Sequence, residues 1–272
     1  FNILVTDSTS YKAAVVCKFI KKNYDNVTIN TISRFNNSYI FRTKYTDNHM
    51  VIPINDDQIF FEKLAKIIKE NKIDYLIPIN SSEITHFMEQ KKLLYPSLEY
   101  MGDAESFSKL NNKRNFGELC TFLKVPHPKT FSDVELINGE ESKKYVFKPA
   151  QGSSSRGVRY FHSKSEVINF SKKYAGGYVV QEYFKGTGGG ISTFSVNGKI
   201  MESYGHSRVQ EYPTEGGSSS MRKRLDKDVY EEGLKFVRIL LEHTRWSGFC
   251  MFEIKYNHEK LSFIEANPRV WG

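Results

Sequence analysis

The chain has 272 residues, of which 39% are apolar and 26% are charged, and its formal net charge is +8. This length suits two domains and this composition is globular, which excludes disorder as a description of the whole chain. No apolar run reaches the length of a membrane-spanning helix. Because the chain begins at Phe1 without a charged and apolar leader, we expect that it was trimmed at this end.

Three cysteines are spread along the chain in apolar surroundings, at Cys17, Cys120 and Cys250. Their odd number, their wide spacing and the absence of a CxxC pair argue against a disulfide framework and against a zinc site. We therefore expect reduced, buried thiols and a cytoplasmic protein.

The N-terminal part alternates predicted strands and helices. Apolar runs predict four strands, at 2–6, 27–32, 49–54 and 73–79. Helical periodicity predicts two helices, at 10–24 and 57–71. These βα units predict an α/β domain over residues 1–108 with a doubly wound parallel sheet. No GxGxxG loop follows the first strand, so a dinucleotide site is not expected there. Polar residues follow two strands, at 7–10 and 80–83, and we expect that edge to face the substrate.

Beyond residue 104 hairpin-like strands replace the βα units, which predicts an α+β domain over residues 109–272. Helices are predicted at 104–110, 112–124, 164–174 and 226–243. Strands are predicted at 144–148, 157–161, 177–184, 191–196, 199–206, 247–256 and 261–266. The whole excess of +8 lies in this part, and its basic residues are scattered. That distribution favours phosphates bound in a pocket over a nucleic-acid stripe, and we interpret the cluster Arg222–Arg224 as a solvated face.

A Gly/Ser-rich loop follows the strand that ends at Lys148. Gly152 and Gly157 have the GxxxxG spacing of a P-loop, but Val158 and Arg159 stand where Lys and Ser or Thr should be. The following residues read as a strand, so the segment predicts a strand–loop–strand flap whose backbone amides cover phosphates. The alternative is an ordinary polar hairpin loop. A later strand, ending at Gln181 and Glu182, could read an adenine edge or could be purely structural.

The segment 247–269 carries the most specific pattern. Glu253, Glu265 and Asn267 have the same parity on two strands joined by a turn near Asn257–Lys260, so they can share one face. Depending on the centre of the turn, the two carboxylates are opposite or diagonal. Two carboxylates among apolar neighbours repel each other and lose hydration, and a divalent cation such as Mg²⁺ would relieve both costs. Arg269 follows on the same side, where it could neutralise a phosphoryl group. The alternative is a solvated hairpin face.

A basic pair, His206 and Arg208, alternates on one predicted strand before a second Gly/Ser loop. It could contact phosphate or a carboxylate substrate, or it could belong to a solvated strand.

In this order the motifs resemble the ATP-grasp superfamily, in particular the carbamoyl-phosphate-synthetase and biotin-carboxylase type. They are Lys113 before a helix, FKPAQGSSSRG, VVQEYF and FEIK followed by IEANPR. HSRVQEYPTEGG and NPRVWG resemble a subgroup of predicted carboxylate ligases. The resemblance implies a domain preceding the ATP-grasp domain over 1–108, and an ATP-grasp domain with subdomains at about 109–184 and 185–272.

The resemblance also implies roles for individual residues. Lys113 and Lys148 would contact the α- and β-phosphates of ATP. The loop over the β- and γ-phosphates would contain Gly152, Ser153, Ser154, Ser155 and Gly157. The hinge beside adenine would be Gln181, Glu182, Tyr183 and Phe184, with Glu182 at the exocyclic amine. Glu253, Glu265 and Asn267 would hold one or two Mg²⁺, His206 and Arg208 would lie near the γ-phosphate, and Arg269 would face the acyl phosphate.

This sequence departs from the family pattern in two places. Many relatives carry a ribose-binding acid seven positions after the adenine-side Glu, where this chain has Gly189, so backbone could replace it. Biotin carboxylases place a bicarbonate base four residues past the Arg, and this chain ends at Gly272, before that position. We expect the natural protein to continue.

These expectations predict an ATP-dependent ligase that activates a carboxylate as an acyl phosphate for attack by an amine or similar nucleophile. The absence of a catalytic Ser or Cys motif fits, because positioning and charge neutralisation suffice for phosphoryl transfer. A non-catalytic ATP-binding or regulatory module is the alternative, and nucleic-acid binding driven by charge is a third. We expect no nucleic-acid or membrane partner.

Overall fold

A computed structural model gives the fold, and it describes all residues except 36–43, 95, 139, 151, 153–156, 213–217 and 272. The chain forms two compact units. The first contains residues 1–104 and 269–272, and the second contains residues 105–268. Within the described part of the chain, no helix has the length and apolar character that a membrane crossing requires.

The first unit is built on a parallel four-stranded sheet. Its strands are β1 (Asn2–Val5), β2 (Thr28–Ser33), β3 (Asn48–Val51) and β4 (Tyr75–Ile77). Its helices are α1 (Tyr11–Asn23), α2 (Asp57–Glu70), α3 (Ser81–Glu89) and α4 (Lys91–Leu94). The strand order is β3-β2-β1-β4, so the chain first builds outward from β1 and then returns to its other side. The carboxyl ends of β1 and β4 therefore meet where the winding reverses, which is the usual ligand position in such sheets.

Local sequence signals explain the helices of this unit. The Ser10 hydroxyl caps α1 by accepting from the Lys12 amide at 3.3 Å, and Asp56 caps α2 by accepting from the Ile59 amide at 2.9 Å. One core cluster packs α1 on the sheet, with Val5, Ala13, Cys17, Ile29 and Ile79 among its buried members. Val270, near the end of the chain, packs against this same cluster.

The second unit contains two antiparallel sheets. Its helices are α5 (Ala104–Asn111), α6 (Lys113–Phe122), α7 (Lys164–Ser171) and α8 (Lys227–Thr244). The first residue of α5, Ala104, is still counted in the first unit. The smaller sheet has the order β5-β8-β6-β7, from β5 (Thr130–Phe131), β6 (Tyr145–Pro149), β7 (Arg159–Phe161) and β8 (Tyr178–Glu182). The larger has the order β11-β10-β9-β12-β13, from β9 (Thr187–Val196), β10 (Lys199–Tyr212), β11 (Ser218–Arg224), β12 (Gly248–Tyr256) and β13 (Leu261–Asn267).

The predicted parallel sheet and the hairpin-rich second part are both confirmed. Four elements were not predicted from the sequence: α3, α4, the short β5 and the strand β11. The segment SSSMRKR of β11 has no apolar alternation, and the strand forms by pairing with β10. The basic cluster Arg222–Arg224 lies on this strand and is exposed.

Candidate active site

The two predicted metal-binding carboxylates lie directly opposite each other in the larger sheet. Glu253 of β12 pairs with Glu265 of β13, and Met251 pairs with Asn267. Of the two arrangements left open by the sequence, the opposite one is therefore correct. Asn267 shares the face of Glu265, and its side-chain amide donates to the Glu265 carboxylate at 3.2 Å. Two carboxylate groups and one amide group are thereby brought together on one face.

A turn and a bulge set this register. The side-chain amide oxygen of Asn257 accepts from the backbone N–H of Glu259 at 3.0 Å and of Lys260 at 2.9 Å, which closes the hairpin at the predicted turn. From that turn the strands pair regularly as far as Ile254 opposite Phe263. Ile264 is then an extra residue without its own partner, and this β-bulge brings Glu265 opposite Glu253.

Positive side chains compensate the two carboxylates. Arg208 Nη2 lies 2.9 Å from Glu253 Oε2, and Lys113 Nζ lies 3.4 Å from Glu265 Oε2. Lys113 is the first residue of α6, and its Nζ also donates to the Gly152 carbonyl at 3.1 Å. Lys148, at the end of β6, is buried, and it interacts electrostatically with Glu265 and Glu253. Of the site residues assigned by resemblance, the structure therefore brings Lys113, Lys148, Arg208, Glu253, Glu265 and Asn267 together.

The electrostatics of this cluster separate its members. Burial, and then the neighbouring Glu265, raises the pKa of Glu253. Burial also acts to raise the pKa of Glu265, but Lys113, Lys148 and the Asn267 amide outweigh it and lower that pKa. Burial lowers the pKa of Lys148 to about 8, although the neighbouring carboxylates of Glu265 and Glu253 act to raise it. The effect of Glu265 on the pKa of Glu253 reflects repulsion between the two carboxylates, which a cation placed between them would relieve.

The basic pair predicted on β10 is present, but its two members differ in charge. Arg208 bridges Glu253 and Glu211, with its Nη1 3.1 Å from Glu211 Oε1. His206 is buried, and burial, Arg222 and Arg208 lower the pKa of its imidazole to about 4. At neutral pH His206 is therefore uncharged, and it can offer hydrogen bonding but no positive charge.

The hinge residues are divided between two faces of the smaller sheet. Gln181 pairs with Val146 and lies on the face of Lys148, and its amide donates to the Thr130 hydroxyl at 3.0 Å. Glu182 pairs with Tyr145 on the opposite face and lies 3.3 Å from Lys143. The adenine contact predicted for the Glu182 side chain thus stays a prediction.

Two pockets adjoin this hinge. The first, which we call the hinge pocket, has a volume of about 420 Å³. Its lining is Tyr160, Tyr183, Gly186, Thr187, Gly188, Arg208, Val209, Gln210, Glu211 and Lys255. The second has a volume of about 430 Å³, and Glu182, Tyr183 and Phe184 are among its lining residues. Tyr183 therefore borders both, and the Nζ atoms of Lys144 and Lys255 lie 4.6 and 5.1 Å from its ring centroid.

The predicted phosphate loop has the expected strand on each side, β6 and β7, which pair antiparallel. Gly152 and Gly157 adopt φ values of 138° and 76°, which favour glycine, and a Cβ at Gly157 would lie 2.9 Å from the Pro149 ring. Ser153, Ser154 and Ser155 lie outside the described residues.

Polar side chains cluster at the sheet edge of the first unit. The Thr6 hydroxyl donates to Glu83 Oε2 at 2.7 Å, and Asn80 donates to Asp7. Burial raises the pKa of Glu83 to about 7. Arg269, predicted from the family motif, belongs to this unit, where its Nε donates to the Ser81 hydroxyl at 2.8 Å.

A pocket of about 290 Å³, the N-terminal pocket, adjoins this edge. It is lined by Asp7, Ile32, Ser33, Arg34, Phe35, Asp57, Phe60, Phe61, Asn80, Glu83, His86 and Phe87. Arg34 pairs with Asp57 at 2.6 Å and stacks 3.9 Å from the centroid of the Phe60 ring. The remaining carboxyl groups, Asp7 and Glu83, give the pocket an acidic and aromatic lining.

Two charged residues at the site of the paired carboxylates, Lys255 and Glu211, were not predicted from the sequence. Lys255 shares the parity of Glu253, so alternation along β12 was a usable signal. Glu211 was visible only within the quoted HSRVQEYPTEGG string, because its position relative to Arg208 depends on an irregular strand.

Comparison with known proteins identifies the family of this chain. The family model of the ATP-grasp domain matches residues 110–272, more than half of the chain. The chain therefore belongs to the ATP-grasp family. This confirms the resemblance drawn from the motifs.

Two curated relatives match most of the chain. It is 25% identical to the tyramine–L-glutamate ligase of Methanocaldococcus fervens, over 90% of this chain and 74% of that protein. It is 24% identical to the D-aspartate ligase of Enterococcus faecium, over 79% of this chain and 59% of that protein.

Among solved structures, the fold is similar to the biotin carboxylase domain of Hydrogenobacter thermophilus 2-oxoglutarate carboxylase, with a TM-score of 0.72 and 16% identity. That match covers 99% of this chain and 64% of the other.

Proposed function

We propose that this protein is an ATP-dependent ligase that activates a carboxylate as an acyl phosphate, releases ADP and joins the acyl group to an amine. The observation that carries the proposal is the pair Glu253 and Glu265, opposed across two strands beside the buried Lys113 and Lys148. The names of the two curated relatives, both ligases of amino acids, support the same class of reaction. In this proposal residues 1–108 precede an ATP-grasp domain of two subdomains, at about 109–184 and 185–272.

The donor set fits Mg²⁺. Carboxylate and amide oxygens are the ligands that this ion prefers, and Glu253, Glu265 and Asn267 offer both. Arg208 and Lys113 form ion pairs with these carboxylates and compensate part of their charge. When bound, Mg²⁺ would compensate charge between the carboxylates and the phosphates of ATP. The similar biotin carboxylase domain is described as a complex with MgADP and bicarbonate, which supports the choice of ion and nucleotide.

The remaining site residues take positioning roles. Lys113 and Lys148 would bind the α- and β-phosphates, and the loop 151–157 would cover the β- and γ-phosphates. Gln181–Phe184 would adjoin adenine. Arg208 would neutralise charge at the γ-phosphate, His206 would add a neutral hydrogen bond, and Arg269 would face the acyl phosphate.

The proposed reaction needs no protein nucleophile. A carboxylate oxygen attacks the γ-phosphorus in line, and the bond to the bridging oxygen of ADP breaks. The amine then attacks the acyl carbon, phosphate leaves, and the amine loses a proton. The protein holds the reactants together and neutralises the transferred charge, which can supply much of the rate enhancement.

We propose the N-terminal pocket as the site of the amine. Asp7 and Glu83 would attract an ammonium group, and the rings of Phe60, Phe61 and Phe87 would cover its apolar body. Glu83, with its pKa near 7, could also accept the proton that the amine releases. The three cysteines are free and buried, which supports a reducing compartment and hence the cytoplasm.

Product analysis tests the reaction class. The protein is incubated with MgATP, an amine panel that includes tyramine, and L-glutamate or D-aspartate carrying a heavy-oxygen label in the carboxylates. Transfer of the label into released phosphate, together with ADP formation, is expected from an acyl phosphate. Formation of AMP and pyrophosphate would contradict it. ATP binding without ADP release with any carboxylate would favour the non-catalytic module.

A further inference from the structure

The sequence lacks an acid at the family's ribose position, which in this chain is Gly189. In the structure a side chain at 189 would point away from the site. A Cβ there would lie 2.8 Å from the His206 carbonyl oxygen and 3.5 Å from Ile254 and Tyr256. The neighbouring Gly188 has the opposite orientation, on the face of Arg208 and Glu211. Because side chains alternate along a strand, a residue at position 189 could not contact the ribose from this strand, whereas the space beside Gly188 lies on the face of the site.

That space contains a carboxylate from another strand. A Cβ at Gly188 would lie 2.9 Å from Glu211 Oε1 and 3.0 Å from Arg208 Cδ. Glu211 thus occupies the volume into which a side chain at 188 would extend. Glycine at 188 is what allows the carboxylate of β10 to approach the backbone of β9.

An irregularity in β10 produces this placement. In the pairing with β11, Arg208 is opposite Arg222 and Gln210 is opposite Met221, so Val209 is an extra residue. Two residues separated by three positions normally lie on opposite faces of a strand. The β-bulge at Val209 turns Glu211 onto the face of Arg208, and the two form an ion pair at 3.1 Å.

The surroundings identify the chemistry. Glu211 lines the hinge pocket together with Tyr183, Lys255 and Thr187. Tyr183 belongs to the hinge proposed to adjoin adenine. In the pairing of β12 with β9, Glu253 is opposite Gly190, and Lys255, two residues further along β12, is opposite Gly188. Glu211 therefore lies between the hinge and the paired carboxylates within this unit. The part of ATP between base and phosphates is the ribose, whose hydroxyls are donors that a carboxylate can accept.

We propose that Glu211, brought across from β10 by the bulge at Val209, accepts hydrogen bonds from the ribose hydroxyls of ATP in place of the missing family acid. The assignment rests on the proposed function, because it requires ATP to bind at this site. Arg208 holds the carboxylate in position through their ion pair. A carboxylate that accepts from the 2′-hydroxyl is the device that dinucleotide-binding folds use for the same sugar.

Calorimetric titration tests the assignment with ATP, 2′-deoxy-ATP and 3′-deoxy-ATP in the presence of Mg²⁺. We expect wild type to bind at least one deoxy analogue about tenfold more weakly than ATP, since a hydrogen bond to a charged group is lost. Glu211→Gln is expected to bind ATP about tenfold more weakly, while its affinity for that analogue changes little. The ratio of the two dissociation constants should then fall close to one.

Two control variants separate this role from indirect effects. Glu202→Gln neutralises an exposed acid on the same strand and should keep the wild-type ratio. Arg208→Lys alters the partner of Glu211 and should keep the preference for the hydroxyl even if overall affinity falls.

Equal binding of ATP and both deoxy analogues by wild type would overturn the assignment without any variant. An unchanged ratio in Glu211→Gln would also overturn it, and both results would leave the proposed ATP site standing. Absence of ATP binding by wild type would instead overturn the proposed function, and the ribose assignment with it.

Discussion

The two units of this protein organise their polar side chains in different ways. In the first unit, Asp7, Asn80 and Glu83 lie beyond the ends of parallel strands, where Asn80 donates to Asp7 and the Thr6 hydroxyl donates to Glu83. In the second, Glu253 and Glu265 lie within strands and are fixed opposite each other by backbone pairing. Strand ends leave side chains free to follow the loops, whereas positions within a ladder define a geometry. We therefore propose that the second unit binds ATP and the metal ion and that the first unit recognises the amine.

The largest effect is expected from the loss of one of the two paired carboxylates in the second unit. Glu265→Gln removes one negative charge from the proposed metal site, and carboxylate-dependent ADP release should fall by about a hundredfold or more. A coupled ADP assay at saturating MgATP measures it. Glu259→Gln, an exposed acid in the adjoining turn, is the matched control and should retain the wild-type rate. A rate in Glu265→Gln equal to that of its control would exclude Glu265 from the metal site.

The charge of Lys148 gives the same unit a pH dependence. Burial lowers the pKa of Lys148 to about 8, so the free protein loses this positive charge as the pH rises through that value. Because phosphate binding favours the protonated amine, ATP affinity should be constant below the pKa and should fall above it by up to about tenfold per pH unit. Titration of wild type across this range measures the slope. Lys148→Arg, which stays charged, should flatten it, and an equal slope in that variant would assign the titration elsewhere.

A change in the first unit should affect the acceptor alone. Glu83→Gln keeps a partner for the Thr6 hydroxyl but removes the carboxylate from the N-terminal pocket. The KM for the best amine of the panel should rise about tenfold, as a charged hydrogen-bond partner is lost. The dissociation constant for ATP should not change. Glu89→Gln, an exposed acid on the same helix, is the control, and a weakened ATP affinity in Glu83→Gln would contradict the division of roles.

The smallest expected effect distinguishes the two paired carboxylates. Glu265→Gln leaves the buried Lys113 and Lys148 with less compensation and should lower the free energy of unfolding by about 1–3 kcal/mol. Glu253→Gln relieves repulsion with Glu265 and leaves Arg208 paired with Glu211, so its cost should be smaller. Urea denaturation without nucleotide measures both. Equal losses would show that the lysines do not discriminate between the two carboxylates.

The same contrast decides what could be predicted from the sequence. The turn at Asn257–Lys260 and the common face of Glu265 and Asn267 could be predicted, since turn chemistry and strand alternation are local properties. The place of Glu253 on that face depends on the bulge at Ile264. The bulges at Ile264 and Val209 could not be predicted, because each is defined by pairing with a distant strand. The bulge at Val209 is the reason that Glu211 was missed.

Other differences have the same physical origin. His206 was expected to be basic, but its charge depends on burial and on the neighbouring Arg208 and Arg222. Arg269 continues the parity of β13 in sequence, yet it belongs to the first unit, where Val270 packs against the core and Arg269 donates to Ser81. Packing between residues far apart in sequence decides both cases.

The most direct test of the proposed metal–nucleotide site is the thermal unfolding of wild type and Glu265→Gln with ATP, each with and without Mg²⁺. A ligand at about 100 times its dissociation constant stabilises the folded state by about 2.7 kcal/mol, which raises the midpoint by a few degrees for a chain of this size. We predict a rise in wild type that requires Mg²⁺ and is lost in Glu265→Gln. An equal rise in both proteins, or one independent of Mg²⁺, would contradict a metal–nucleotide site at the paired carboxylates.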